Sequence, residues 1–424
     1  MIEEKLRQKP VIEKEVIEGA AKEKGPRVAY FPCTYHEVDG VASTSRQFEA
    51  FARRRELPFL MVYAGPKNTM ATAGSVTHVQ LRRSPVTFSV DCAHDYDLLF
   101  LRRFWEVRDL VRSFRPDLVQ ITGPSDVGIL GALVAHNLGI PLAACWQTNL
   151  DQYARSRVAA AASFLPEAAT SRFLATVERL SFKACARFYK IPRLLFAPNQ
   201  EIIEKIEMGT GKRCLLMGHA VDTTVFSPKF RARIGGPLRI GYAGRLTAEK
   251  NVAALVRLEQ ALLRTGHRDF QMVVIGQGSR EKWLRKNLQQ AKFTGVLGGA
   301  ALAREFANLD ILAFPSETDT FGLVVLEALA SGVPAVVTAK GGPKYIVRHG
   351  KSGYVADSFE EFVSYTAILL AHPELLAAMR RTARRQALES NWDTIFEDMY
   401  AAYERRLLAA PAGAAPVFDL ATNS

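Results

Sequence analysis

From Pro26 onward the chain alternates short apolar runs with longer amphipathic ones. The runs Arg27–Phe31, Phe59–Ala64, Leu118–Thr122, Leu142–Trp146 and Leu194–Ala197 read as buried strands. Between them, Ser43–Arg55, Phe104–Phe114 and Val127–Leu138 repeat apolar residues at helical spacing. That alternation predicts a parallel sheet with helices on both faces. A second alternation starts at Arg239–Ala243 and continues through Asn251–Arg264, Gln271–Gly276, a helix after Ser279, Ile311–Phe314, Leu323–Ala330 and Ala335–Val337. Residues 227–237, rich in Pro, Gly and Arg, read as a linker between the two. The expected organisation is a charged extension over 1–25, a Rossmann-like domain over 26–226, the linker, and a second such domain over 238–393. A last helix over 394–410 and a disordered tail over 411–424 complete it. The fold class is α/β: two doubly wound domains facing across a cleft, with ligands expected at the carboxyl ends of their strands.

Length and charge narrow the reading only partly. A chain of 424 residues has room for two or more cores. Lys and Arg outnumber Asp and Glu by 55 to 43, a net charge of +12. That balance favours an anionic partner, whether nucleotide phosphate, an acidic membrane surface or nucleic acid, and also fits a merely soluble basic protein. Five scattered cysteines without a CxxC pair argue for free thiols in a reducing compartment. The mixed-charge N-terminus has no apolar core for a secretion signal, and no window approaches a membrane span. A cytoplasmic protein is expected. No His/Asp/Glu/Cys cluster has metal-ligand spacing, and Gly211-Lys212 lacks the rest of an ATPase phosphate loop.

The most informative chemistry lies in Ser316–Pro334, SETDTFGLVVLEALASGVP. A strand runs into a Pro-Ser turn, an acidic loop at Asp319, then Phe321-Gly322 and a helix bearing Glu327. Unpaired N–H groups and the helix dipole at such a junction attract a phosphate. Glu327 falls about 7–8 Å into that helix at the standard rise. Two carboxylates eight positions apart therefore flank an anion site, as a nucleotide-sugar would require. Arg245 and Lys250, in GYAGRLTAEKN between a strand and a helix, are placed to meet a leaving diphosphate. Alone, that pair reads equally as solvent-facing loop charge.

This segment resembles the acid-x7-acid signature of family 4 retaining glycosyltransferases of GT-B fold, with Asp319 where the first acid is usually Glu. The resemblance runs from about Pro26 to the 390s and extends to lipid-glycosylating members. It implies that Glu327 holds the ribose hydroxyls, that Arg245 and Lys250 bind the donor phosphates, and that Asp319 contacts the transferred sugar. Backbone around Thr320, Phe321, Gly322 and Leu323 would meet sugar and phosphate. Gly276, in a Gly-Gln-Gly turn, and Val296, after Gly295, resemble further donor-loop positions, with the nucleobase read by backbone. Gly40 resembles the glycine of the family's first loop, where the chain approaches the donor, and His36 beside it reads either as an acceptor contact or as a local hydrogen-bonder. Gln147 stands in Trp146-Gln147-Thr148-Asn149 where lipid-glycosylating relatives commonly carry His, and an amide cannot carry a proton. Retaining enzymes of this fold use the departing phosphate as the base, so Gln147 is compatible with turnover.

The resemblance implies a metal-independent hexosyltransferase without a cofactor. It would use a UDP- or GDP-sugar on a hydroxyl of a membrane lipid or lipid-linked glycan. Ala154–Arg193, basic and interleaved with Phe and Leu, reads either as a face for an acidic membrane, making the enzyme peripheral, or as a core-facing helix with a solvated basic side. A soluble transferase on a small or glycan acceptor, and a catalytically silent sugar-nucleotide-binding subunit, are the alternative readings. Nucleic acid is not an expected partner, because it explains none of these motifs.

Overall fold

The computed structural model describes residues 25–37, 39–89, 95–97, 99–147 and 167–408. The charged extension up to residue 24, the tail from 409, Thr148-Asn149 and the first part of the basic stretch lie outside the described residues.

The first sheet has eight strands in the order Cys214–Leu216, Leu194–Ala197, Leu142–Cys145, Leu118–Ile121, Val28–Phe31, Phe59–Gly65, Val76–Arg82 and Thr69–Ala73. All pairings are parallel except the edge pair of Thr69–Ala73 with Val76–Arg82. The second sheet is wholly parallel, ordered Ala291–Gly295, Phe270–Ile275, Leu238–Ala243, Ile311–Phe314, Ala335–Thr338 and Gly353–Ala356. In each sheet the chain leaves its first strand toward one side and later returns to pair on the other. The crevices this opens lie beyond Phe31 and Ala243, which is where such sheets hold ligands.

Buried Val, Ile, Leu and Phe on both faces of the strands form the cores. Several elements exceed the sequence expectation. Thr69–Ala73 is mostly exposed and Ala291–Gly295 only part-buried, so neither carries an apolar run to reveal it. The first helix begins at Gly40 rather than Ser43 because the Asp39 carboxylate accepts from the Ala42 N–H at 2.8 Å.

The last helix, Trp392–Leu408, packs on the first domain. Phe396 stacks on Phe48 with centroids 4.6 Å apart, and Tyr403 donates to buried Gln120 at 3.1 Å. Arg54 and Arg55 pair with Asp393 and Glu397 at its surface. Segment 227–237 is likewise held down: Arg231 and Arg233 reach the buried Asp310 carboxylate at 2.7 and 2.8 Å.

Candidate functional site

The two crevices face each other, and the acidic loop lies between them. Strand Ile311–Phe314 delivers the chain to Ser316, which is fully buried, and Gly322 then turns into helix Leu323–Ala330 with φ at +94°. A side chain at Gly322 would be strained and would meet Pro343 at 2.9 Å. Gly322, not Asp319, is the N-cap of this helix, and it offers no side-chain cap. Asp319 therefore does not cap this helix.

Asp319 instead binds Lys250, Oδ1 to Nζ at 2.6 Å. Burial raises its pKa, but the bonded Lys250 ammonium and the charge of Arg245 outweigh that and hold the carboxyl below its usual range. Its second oxygen, Oδ2, is buried without a hydrogen-bond partner among the described residues, as is Ser316 Oγ. Glu327 is the opposite case. It is only part-buried, and no side-chain partner among the described residues is found for its carboxyl. Desolvation alone raises it from 4.5 to about 7. One acid is thus ionised and paired, while the other is unpaired and poised near neutrality.

Glycines brace this region through backbone contact. A Cβ at Gly276 would sit 2.0 Å from the Gly244 carbonyl, and one at Gly278 would sit 2.4 Å from that of Leu246. The Gly-Gln-Gly turn thus presses directly on the loop that carries Arg245. Gly276 was expected at the donor; the contact with Gly244 gives it a packing role in the described residues. A Cβ at Gly342 would lie 2.2 Å from the Thr320 carbonyl, and the Gly342 N–H donates to the Asp319 carbonyl at 2.7 Å. Gly341-Gly342-Pro343 escaped sequence reasoning, although a Gly-Gly-Pro turn after a strand is a readable signal.

The first domain reaches the same loop. Thr320 Oγ1 donates to the Gln147 carbonyl at 2.8 Å, and Asn199 Nδ2 donates to the Thr320 carbonyl at 2.6 Å. These bonds leave the Thr320 N–H, the group of the expected donor contact, unengaged by either. Both side-chain atoms of Gln147 are buried without partners among the described residues. Phe321 stacks on His219 at 4.3 Å, and burial lowers that imidazole to about 4. A Cβ at Gly40 would meet Leu323 at 3.4 Å, so the first loop and the acidic helix approach closely. His36 does not face this junction freely: its Nε2 is 2.7 Å from Gln80 Oε1, the local hydrogen-bonding alternative. Val296 is about half exposed, and the Gly295 carbonyl before it accepts from the Gly276 N–H at 2.8 Å. Sequence reasoning misses Asn199, which shows only as a helix N-cap, and reads His219, in the turn Gly218–Asp222, as structural.

Among the described residues no group of His, Cys, Asp or Glu is arranged to hold a metal, and no disulfide forms. No single described helix is long and apolar enough to cross a membrane.

Two facing doubly wound sheets with an acid-bearing loop between them make the GT-B architecture. A family model described as glycosyl transferases group 1 matches residues 227–386. A GDP-mannose-dependent alpha-mannosyltransferase of Mycolicibacterium smegmatis is 31% identical over 308 residues, covering 70% of this chain and 75% of that protein. One of the same description from Corynebacterium glutamicum is 27% identical over 299 residues, covering 68% and 67%. Among solved structures, sucrose-phosphate synthase from Thermosynechococcus elongatus superposes with a TM-score of 0.71 at 17% identity, covering 91% of this chain and all of that one. The chain belongs to the group 1 glycosyl transferases, and it is a hexosyltransferase.

Proposed function

We propose that the protein transfers a hexosyl group, with retention of anomeric configuration, from a GDP- or UDP-sugar to a hydroxyl of a membrane lipid or lipid-linked glycan. GDP-mannose is the donor favoured by similarity to the mannosyltransferases. The observation that carries this reading is the unpaired Glu327 carboxyl, raised to about 7, on the helix that follows the Lys250–Asp319 pair. Ribose hydroxyls donating to Glu327 would give its carboxylate the partners it lacks. Arg245, Lys250 and the start of helix Leu323–Ala330 would stabilise the diphosphate as it departs. Asp319, with Oδ2 unsatisfied, would accept from sugar hydroxyls. The bond from the anomeric carbon to phosphate oxygen breaks, the acceptor oxygen bonds that carbon on the same face, and the acceptor proton passes to the departing phosphate. Gln147 would orient sugar or acceptor by hydrogen bonding. In this reading protein cations do the electrostatic work and no metal or cofactor takes part.

Nucleoside diphosphate release from a panel of GDP- and UDP-sugars, with and without polar lipid extract, tests the proposal. Release from GDP-mannose that rises with lipid is expected. Release that is indifferent to lipid but rises with a soluble acceptor would replace the lipid reading with a soluble one.

A further inference from the structure

Outside the cleft, one surface combines exposed large apolar side chains with arginine. Leu99, Leu101 and Trp105 are 50%, 45% and 62% exposed, and Val86 is 53% exposed. They lie on a segment that follows strand Val76–Arg82: a small hairpin, a turn at Phe100–Arg103, and helix Phe104–Phe114. Val107, Val111 and Phe114 face the core from that helix. Trp105, Arg108 and Arg112 recur at i, i+3 and i+7 on the opposite side, with Arg108 stacked over Trp105 at 4.5 Å.

The segment is fixed, not loose. The Ser84 N–H and hydroxyl both donate to buried Asp97 at 2.5 Å, Arg83 pairs with Asp126, and Asp126 accepts from the Asp97 N–H at 3.1 Å. Those bonds tie it to the start of helix Asp126–Leu138, at the carboxyl ends of the strands. The patch therefore sits at the cleft end of the first domain, not at its far end. Arg82 and Arg112 are exposed beside it, Asp97 and Asp126 are buried in the network beneath, and the nearby acids Asp109 and Glu106 are neutralised by Arg108 at 2.7 Å and Arg103 at 2.8 Å.

Resting on the lipid-acceptor reading above, we infer that this patch is the surface that meets an anionic lipid bilayer. Trp105, Leu101, Leu99 and Val86 enter the interfacial layer, and Arg82 and Arg112 engage its phosphates. Docked this way, the enzyme presents the acceptor end of its cleft to the membrane. The charge decides the occupant: a partner copy of this basic chain would bring like charge to the same arginines. The basic helix Glu167–Tyr189 is the competing surface. It turns Tyr189 and Ala186 into the core and exposes Phe173 and Leu180 beside Arg179, Lys183 and Arg187.

The test is co-sedimentation of the full chain with equimolar phosphatidylcholine–phosphatidylglycerol vesicles at physiological salt, against phosphatidylcholine alone. The wild type is expected on the anionic vesicles only. Leu101→Ser with Trp105→Ser should cut partitioning about tenfold or more, whereas Phe173→Ser with Leu180→Ser should leave it nearly unchanged. GDP binding, measured on the same proteins, should be equal in all three and so confirms folding. The inference is overturned if the Leu101/Trp105 variant binds like wild type, if only the Phe173/Leu180 variant loses binding, or if wild type ignores charge. Sedimentation velocity showing that the patch joins two copies, with vesicle binding intact, also overturns it. Lipid-stimulated transfer by wild type keeps the functional reading standing in each of those cases, and its absence with vesicle binding intact would remove that reading alone.

Discussion

The two halves of the cleft are braced in different ways. On the side of the second sheet, loops touch through backbone: Gly276 against Gly244, Gly278 against Leu246, Gly342 against Thr320. On the side of the first sheet one such contact occurs among the described residues, Gly128 against the Gly123 carbonyl within a single turn, and separate loops are tied to one another by side chains: Thr34 to Asp39, His36 to Gln80, Ser84 to Asp97 and Arg83 to Asp126. Backbone bracing leaves no room for substitution and little for movement. Side-chain bracing can be exchanged residue by residue. The difference suits a site in which one half handles the same nucleoside diphosphate every time, while the other is adapted to a particular acceptor.

The largest expected effect breaks the backbone brace. Gly276→Ala places a methyl 2.0 Å from the Gly244 carbonyl at φ +128°, and should cost about 3–4 kcal/mol of stability in chemical denaturation. Next is Glu327→Ala, which should weaken nucleotide-sugar binding about a hundredfold, or ~3 kcal/mol, if two ribose hydroxyls bond the carboxylate. Equilibrium binding of a GDP-sugar measures this. Glu327 also sets a pH dependence. A carboxyl raised from 4.5 to about 7 holds its proton more tightly folded than unfolded, so stability of the ligand-free protein should fall as pH climbs through that window. Melting temperature against pH should show the decline in wild type and a flatter profile in Glu327→Gln.

Asp319→Ala should act on turnover more than binding, with kcat down about a hundredfold while nucleotide affinity changes little. Single-turnover kinetics beside direct binding separates the two, and equal losses in both would assign Asp319 to ground-state binding. The smallest effect belongs to the side-chain brace. Ser84→Ala removes one bond to buried Asp97 but leaves the Ser84 N–H in place, so a loss of about 1–2 kcal/mol is expected. A Ser84→Ala penalty as large as that of Gly276→Ala would erase the distinction between the two halves.

Much of the fold is legible in the chain because a parallel sheet writes itself as repeated short apolar runs. Ile311–Phe314 and Leu194–Ala197 appear where periodicity places them. Strands without such a run do not show: Thr69–Ala73 is an exposed edge, and Gly353–Ala356 has only one apolar pair inside it. That Lys250 and Asp319 share one site is legible because each follows a strand end, where a doubly wound sheet gathers its loops, but the ion pair between them is not, since the sequence assigns Lys250 to phosphate and Asp319 to sugar. The ties from Thr320 to Gln147 and Asn199 span 173 and 121 positions. Contacts made across a cleft have no local pattern to betray them. Likewise, the sequence offers only Ala154–Arg193 as a membrane face, and the exposed apolar residues of Leu99–Trp105 do not show, since which apolar residues face outward is decided by packing.

The most direct measurement is calorimetric titration of GDP and UDP into wild type and Glu327→Gln at pH above the Glu327 transition. Wild type should bind one of the two nucleotides clearly, and the amide variant, equal in size but uncharged, should lose most of that affinity. Undiminished binding by a folded Glu327→Gln protein would contradict the assignment of Glu327 to the ribose, and with it the donor site built here.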